Sequence, residues 1–515
     1  MGEIAAVLLT LGPKLAQHVL LAGSALALGI IVALPLAVWA SRSASVARVA
    51  LTFASLVQTI PALALLALFF PLLLSLRAVF GDGLPTLGFL PALLALALYA
   101  LLPILRNAVT AREHMAAGVL EAADGVGMTA AQKLRWVEAP LAAPYIMAGI
   151  RTAAVWTIGA ATLSTTVGQP SLGDPIFAGL QTQNWALVLA GCIASAGLAI
   201  LADILLGTVE RGFRSNDERR SRWMVRAGLA LLALGLAAAF FSTRERSDEG
   251  ALVIGAKNFS EQFVLARLIG QRLEDAGYAV RYREGLGSAV IHRALASGNI
   301  DIAVDYTGTI WTNELRREDM VARDAMFAAI RDWEKRETGI EVVGRLGFEN
   351  AYAFAMRRDA AERLGIETLS DLARVAPRLT IGGDIEFFER PEWQSVRAAY
   401  DLDFARQRSF QATFMYDALA AGEADVISAY TSDGRIAADD LVVLEDPRGA
   451  LPSYDAILML APGRSADENL LRMLRPLLGQ IDVAAMRRAN HAVDRAEDKR
   501  SPAEAARMLA DETLR

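Results

Sequence analysis

The chain is 515 residues long and 54% hydrophobic, with a mean hydropathy of +0.33 and a formal net charge of −6. That is too apolar for an ordinary soluble enzyme, and an acidic balance argues against nucleic acid as a partner. The average hides a break near residue 243. Upstream lie mildly basic, apolar runs; downstream lies a mixed sequence that supplies the negative charge and suits cationic solutes.

A membrane helix needs about 20 mostly apolar residues. Six stretches qualify, near 16–40, 49–76, 89–111, 141–167, 185–208 and 223–242. The start of the chain lacks the basic residues of a cleavable signal, and its apolar run passes into the first stretch. Pro61 and Pro71 interrupt the second stretch, which is expected to kink or break. Cys192 is the only cysteine, so no intramolecular disulfide can form, and it is expected to be a small buried side chain.

Lys and Arg set the orientation. Arg42 and Arg48 follow the first stretch, Arg106, Arg112, Lys133 and Arg135 surround the loop after the third, and six arginines crowd 211–226. The alternate loops, 77–88 and 168–184, hold only Arg77. This places the N-terminus outside, the segment 114–140 in the cytoplasm and everything after residue 243 outside. The 211–226 run reads as a topology signal, with lipid headgroup contact as the lesser option.

Segment 114–140 is a polar island between apolar runs. It carries Glu121, Ala122 and Ala123, then Gly127 and Pro140. Gly127 permits a sharp turn between two short helices, and Pro140 suits the first turn of the next span. A short amphipathic segment held there is built to dock on a partner. No GxxxxGK[ST] phosphate loop occurs in the sequence.

Downstream, strands are predicted at 251–257, 279–283, 301–306, 352–357, 379–383, 424–430, 441–445 and 456–460. Residues 260–277 have helical periodicity, with Ser260 as N-cap and Gly277 as the stop. Strands alternating with helices predict parallel sheets in two α/β lobes, about 251–350 and 360–445, with a return to the first lobe after 450. The resulting division is a transmembrane region 1–213, a basic linker plus sixth helix 214–249, and a two-lobed soluble domain 250–515. A cleft between such lobes is a natural solute site.

The apolar half resembles permeases of osmoprotectant ABC importers, the betaine, choline and carnitine group, through QTIPALALLAL (58–68), LPILRN (102–107), EAADGVGMT (121–129), PYIMAGIRTA (144–153) and IGAATL (158–163). The soluble half resembles their substrate-binding proteins through GAKNFSEQ (255–262), DYTGT (305–309), AYTSDGRI (429–436) and LPSYDA (451–456). The resemblance covers nearly the whole chain in one consistent order. It implies an all-α permease bundle of the type I importer kind, fused to a type II-like periplasmic-binding-protein domain. Segment 114–140 corresponds to the loop that receives force from a cytoplasmic ATPase dimer. A second copy of this chain would complete the pathway. Fused chains in this group include relatives that import ergothioneine.

A quaternary ammonium cannot donate an ordinary hydrogen bond, so its site needs aromatic faces, each contributing about 0.5–2 kcal/mol. Tyr306 and Tyr430 are the first cage residues, followed by Phe259, Tyr352 and Phe388; Trp311 and Tyr416 read as packing. Arg390 suits a solute carboxylate. Gln262, Ser288, Thr307 and Thr431 suit further hydrogen bonds, and Asp433 suits either the ligand or a hinge turn. Three departures from the family pattern stand out: Ala303 where many relatives have tyrosine, Arg390-Pro391-Glu392-Trp393 where Arg-x-Asp-Gly is usual, and GQPSLG at 168–173, a turn after the fourth span that is often rich in glycine. The first two reshape the cage and bring a larger zwitterion such as ergothioneine into view, with Glu349 or Asp433 as polar partners.

His18, His114, His292 and His491 are scattered, so neither a metal cluster nor a catalytic triad is predicted. A ligand-gated receptor or channel is the rival of another class; it would need no ATPase-docking loop.

Overall fold

The structure is a computed structural model and describes residues 2–514 except 82–83, 183, 216, 245–249, 318, 385–386, 411 and 496. It divides into two compact units, Met1–Phe177 with Ala186–Ser247, and Ala178–Trp185 with Asp248–Arg515.

The first unit is helical. Among the described residues, five helices are long and apolar enough to cross a membrane: Gly12–Ala40, Phe89–Glu113, one within Ala130–Val167, Trp185–Arg214 and Glu218–Ser242. Ala44–Thr59 and Ala62–Arg77 are long and apolar enough only as a pair, and they meet at 104°. The break falls at Pro61, which has no N–H to continue the helix and holds Ile60 extended at φ −74°, ψ 126°. Pro71 lies inside the second of the two helices.

Close helix packing depends on small residues. A Cβ on Gly149 would stand 2.6 Å from the Pro103 carbonyl oxygen, so only glycine lets Ala139–Ala161 lie against Phe89–Glu113. Charge joins the next pair: Arg151 binds Asp203 at 2.8 Å and Glu210 at 2.6 Å. Cys192 departs from expectation. It is exposed, on the outward side of Trp185–Arg214 with Leu189 and Ile193, because an apolar side chain in a span can face lipid as readily as a core.

The second unit holds two five-stranded sheets. The first is ordered β2-β1-β3-β10-β4, from β1 (Leu252–Lys257), β2 (Val280–Leu286), β3 (Ile302–Tyr306), β4 (Glu341–Glu349) and β10 (Asp455–Leu460). The second is ordered β7-β6-β8-β5-β9, from β5 (Tyr352–Arg357), β6 (Thr380–Asp384), β7 (Arg406–Phe410), β8 (Val426–Tyr430) and β9 (Leu441–Val443). The return to the first lobe after 450 is β10. Wholly parallel sheets are not what forms. β1, β2 and β3 are parallel, as are β6, β7 and β8, but β10 runs antiparallel to β3 and β4, and β5 antiparallel to β8 and β9. The reason is the connection: the chain passes from β4 to β5 through Asn350 and Ala351 alone, with no crossover helix to restore direction. A second segment returns between β9 and β10. The two passages are tied together where the Asn350 N–H donates to the Tyr454 carbonyl at 3.0 Å.

Ser260 is not the cap of its helix. Phe259 holds the extended N-cap position, and the Ser260 hydroxyl instead donates to Asp494.

Candidate functional site

In each sheet one strand has neighbours that leave in opposite directions: β1 between β2 and β3, β6 between β7 and β8. The crevice outside the carboxyl ends at such a reversal is where open α/β sheets bind ligands. The residues at those ends are Lys257, Tyr306, Asp384 and Tyr430.

An aromatic cluster gathers on the second lobe and the return passage. The Tyr352 ring lies 5.0 Å from Tyr430, 5.1 Å from Phe387 and, edge-on, 6.2 Å from Tyr454. The Tyr430 hydroxyl donates to Asp384 at 2.8 Å. Burial pushes the Tyr352, Tyr430 and Tyr454 hydroxyls well above their ordinary pKa, so they remain protonated donors. Trp393 is buried beneath, 5.5 Å from Phe387 and from Phe388, filling the place where the family pattern has glycine with a rigid support.

Arg390 borders this cluster, its guanidinium carbon 5.4 Å from the Tyr352 ring centre. Its Nε and Nη2 donate to the two oxygens of Glu392 at 3.1 and 2.8 Å, and Nη2 reaches the Tyr454 hydroxyl at 3.1 Å. Tyr454 also donates to Glu392. Burial disfavours the Glu392 charge, but its bonds with Arg390 and Tyr454 outweigh this and leave its pKa below the ordinary range.

Tyr306 belongs to another cluster. Its hydroxyl donates to Glu261 at 2.5 Å and accepts from Gln262 at 2.9 Å. Asn350 and Asn490 donate to the same carboxylate at 3.2 and 3.1 Å. Glu261 of the first lobe thus holds the first passage and the helix Val483–Asp494 together. Burial raises the Glu261 pKa against these donors, and burial followed by the Glu261 charge raises that of Tyr306. Phe259 stacks on Tyr306 at 6.2 Å, and Lys257, paired with Asp305 at 2.5 Å, stands 5.2 Å from the ring.

The structure therefore brings Tyr352, Tyr430 and Arg390 together and groups Tyr306, Gln262 and Phe259 separately. Phe388 packs on Phe387 at 5.6 Å. Thr307 accepts from the Asp455 N–H at 2.9 Å, and Thr431 accepts from the Ala351 N–H at 3.0 Å, so both brace backbone near the passages. Asp433 holds a turn, paired with Arg435 at 2.7 Å. Ser288 opens the helix after β2, and among the described residues no hydrogen bond joins it to either cluster. Glu349 accepts from Ser453 at 3.2 Å. Tyr454, Asp384, Glu392 and Glu261 complete the arrangement and were not singled out as ligands from sequence. Tyr454 lies inside the LPSYDA segment, which was the available signal. Among the described residues no group of histidine, cysteine and carboxylate side chains could hold a metal ion.

In the first unit the island folds as Ala117–Gly125, a turn, and Ala130–Lys133. Gly127 makes that turn at φ +76°, where an L side chain is strained. Asp124 and Lys133 pair across it at 2.7 Å, and Thr129 and Gln132 form a capping box. Ala123 is buried, whereas Glu121, Ala122, Val126 and Trp136 are exposed. Pro140 lies in the first turn of Ala139–Ala161, as expected. The chain widens into a π-turn at Leu134–Glu138 and continues into Ala139–Ala161, the wide turn lying where proline supplies no N–H.

Residues 250–511 match the family described as the substrate binding domain of ABC-type glycine betaine transport system, and 25–215 match the binding-protein-dependent transport system inner membrane component. The chain is 32% identical over 448 residues to the ergothioneine transport permease/ergothioneine binding protein EgtU of Helicobacter pylori (strain G27), covering 85% of this chain and 78% of that one. It is 41% identical over 198 residues to the glycine betaine/carnitine/choline transport system permease protein OpuCB of Bacillus subtilis (strain 168), covering 38% of this chain and 86% of that one. It is 29% identical over 259 residues to the carnitine transport binding protein OpuCC of Listeria monocytogenes serotype 1/2a (strain 10403S), covering 48% of this chain and 82% of that one.

Proposed function

Because the chain belongs to the fused permease and substrate-binding proteins of osmoprotectant-type ABC importers, we propose that it captures a quaternary-ammonium solute and passes it inward at the expense of ATP. The observation that carries this reading is the cluster of Tyr352, Tyr430 and Tyr454 beside buried Asp384 and Glu392. Ring faces attract a trimethylammonium, and nearby carboxylates add a long-range field without needing a hydrogen-bond donor from it. Solute would draw the lobes together about the two passages. The soluble domain would lie outside the cytoplasm of an inner-membrane, multi-pass subunit.

This chain would bind no nucleotide itself. A separate ATPase dimer would dock on 114–140, where Val126 is exposed on a braced turn and Trp136 on the π-turn that follows, and a second copy of this chain would complete the pathway. Glycine betaine, choline and carnitine form the first solute class. Ergothioneine is the second reading, supported by EgtU, whose similarity runs through both halves of this chain. A ligand-gated channel is less well supported, since it gives the island no task.

Titration calorimetry on the full chain in nanodiscs tests the class, using glycine betaine, choline, carnitine and ergothioneine with an unmodified amino acid as control. Binding of at least one quaternary ammonium and none of the amino acid is expected. The opposite pattern sinks the reading. Uptake that persists with a hydrolysis-dead ATPase would favour the channel.

A further inference from the structure

Two chain passages join the lobes, and the helix Val483–Asp494 supplies a third link that is not covalent. It packs on the helix Ser260–Asp275 and on β4 of the first lobe, and on Arg435–Ala438 of the second. Asn490 of this helix is 4% exposed, and its amide nitrogen donates in two directions. One bond runs to the Glu261 carboxylate of the first lobe at 3.1 Å, the other to the Ser432 carbonyl of the second at 2.9 Å. An amide nitrogen carries two hydrogens, so each lobe takes one. The Asn490 oxygen has no donor among the described residues, a cost that the two bonds of the nitrogen must offset.

The second-lobe side of this link is closely fitted. Arg487 Nε donates to the Thr431 carbonyl at 2.6 Å. Gly434 lies at φ −65°, ψ −25°, a conformation open to any residue, so its backbone does not require glycine. The helix requires it instead: a Cβ there would stand 2.6 Å from the Arg487 carbonyl oxygen and press on the His491 backbone. The turn 431–435 follows directly on Tyr430. A hydrogen-bonded path therefore runs from the Tyr306 hydroxyl through Glu261 and Asn490 to Ser432, close after Tyr430 in the chain.

We propose that Asn490 is a positioning residue, a clasp that sets the spacing of the two lobes and with it that of the Tyr306 and Tyr430 clusters. The role rests on the proposed closure of the lobes around solute and deepens it, by naming what holds them before solute arrives. Two passages form a hinge, which absorbs rotation rather than fixing an angle. The clasp narrows the angles sampled without solute, so less ordering remains when solute binds.

The spacing itself can be measured. In a Cys192→Ser chain, spin labels are placed at Asn469→Cys on the first lobe and Glu362→Cys on the second, both exposed positions. Labelled chain is diluted with unlabelled chain in nanodiscs. The distance between labels is read by pulsed electron resonance, without solute and with glycine betaine, choline, carnitine or ergothioneine. Asn490→Leu keeps the bulk and removes both donors. It is expected to broaden the solute-free distribution and to weaken binding by about fivefold or more in calorimetry. Gly434→Ala keeps every donor but lifts the turn from the helix, and the same result is expected. A residue that only stabilised the fold would lower Tm and leave the spacing of the folded protein alone. An unchanged solute-free distribution in Asn490→Leu therefore overturns the inference, and Gly434→Ala decides in its place if that chain does not fold. Loss of folded protein in both variants overturns it too, because the junction would then belong to the fold and not to a hinge. If no solute shortens the wild-type distance, the closure reading fails and the clasp loses its role in binding. If solute shortens it and the variants match wild type, the clasp alone fails.

Discussion

Tyr352 stands where the side chains of the aromatic cluster converge, touching Tyr430, Phe387 and Tyr454. Tyr352→Ala is expected to weaken quaternary-ammonium binding at least tenfold, about 1.4 kcal/mol and within the range for a desolvated cation on a ring; calorimetry reads it directly. Tyr306 makes a different prediction, because its hydroxyl serves Glu261. Tyr306→Phe keeps the ring but removes one donor from a buried carboxylate, a loss of about 1–3 kcal/mol, so Tm should fall. An unchanged Tm would show that the network does not depend on it. Asp494 supplies the pH dependence. Burial raises its pKa to about 7, reinforced by Asp433 and opposed by Ser260, Arg435 and Lys499. Because the folded value lies above the ordinary carboxylate value of about 3.9, its contribution to stability is complete below that value and is lost as pH rises through 7. Asp494→Asn should therefore flatten the dependence of Tm on pH between about 4 and 7; a profile identical to wild type refutes the assignment.

At the scale of elements, glycine decides one contact and one turn of the first unit. Gly149→Leu would drive a side chain into the Pro103 carbonyl, so the spans Phe89–Glu113 and Ala139–Ala161 must separate. The expected outcome is a clear loss of folded protein in detergent, measured by size exclusion. Gly127→Val strains a left-handed turn by about 1–2 kcal/mol. It should reduce copurification of the ATPase while the aromatic cluster still binds solute. Which elements could be read from sequence follows from their place in the sheets. The buried strands β1, β3, β6, β8 and β10 are apolar runs and were legible. β4 and β7 were not, and edge position alone is not the reason, since the edge strands β2 and β9 were legible: β7 is the polar run RQRSF, and β4 is interrupted by Gly344 and Gly347. The site divides in the same way. Tyr306 and Tyr430 end apolar strands and announce themselves. Their assignment to separate clusters depends on Glu261, Asn350 and Asn490, which are far apart in sequence. No local pattern encodes that meeting.

For the whole molecule, the charge bias of the short loops makes a topological prediction. The single cysteine permits a simple check, since Cys192→Ser gives a thiol-free chain. In that background, Asn469→Cys should react with a membrane-impermeant maleimide added to intact cells, and Ala130→Cys should react only after lysis. The reverse pattern would invert the orientation. The two units have separate cores, so core substitutions in one share no core partners with those in the other. Tyr454 has a less separable role. It lies on the return passage, its carbonyl is bonded to Asn350 of the other passage, and its hydroxyl engages Arg390 and Glu392 of the second lobe. On the proposed reading, a residue that meets the cargo is thus also bonded to both passages between the lobes. Occupancy and posture need not then coincide: a solute that fills the Tyr352 and Tyr430 faces but leaves Tyr454 undisturbed would be retained without being delivered. Such a molecule would act as an antagonist of its own importer, detectable as tight binding with no stimulation of the ATPase.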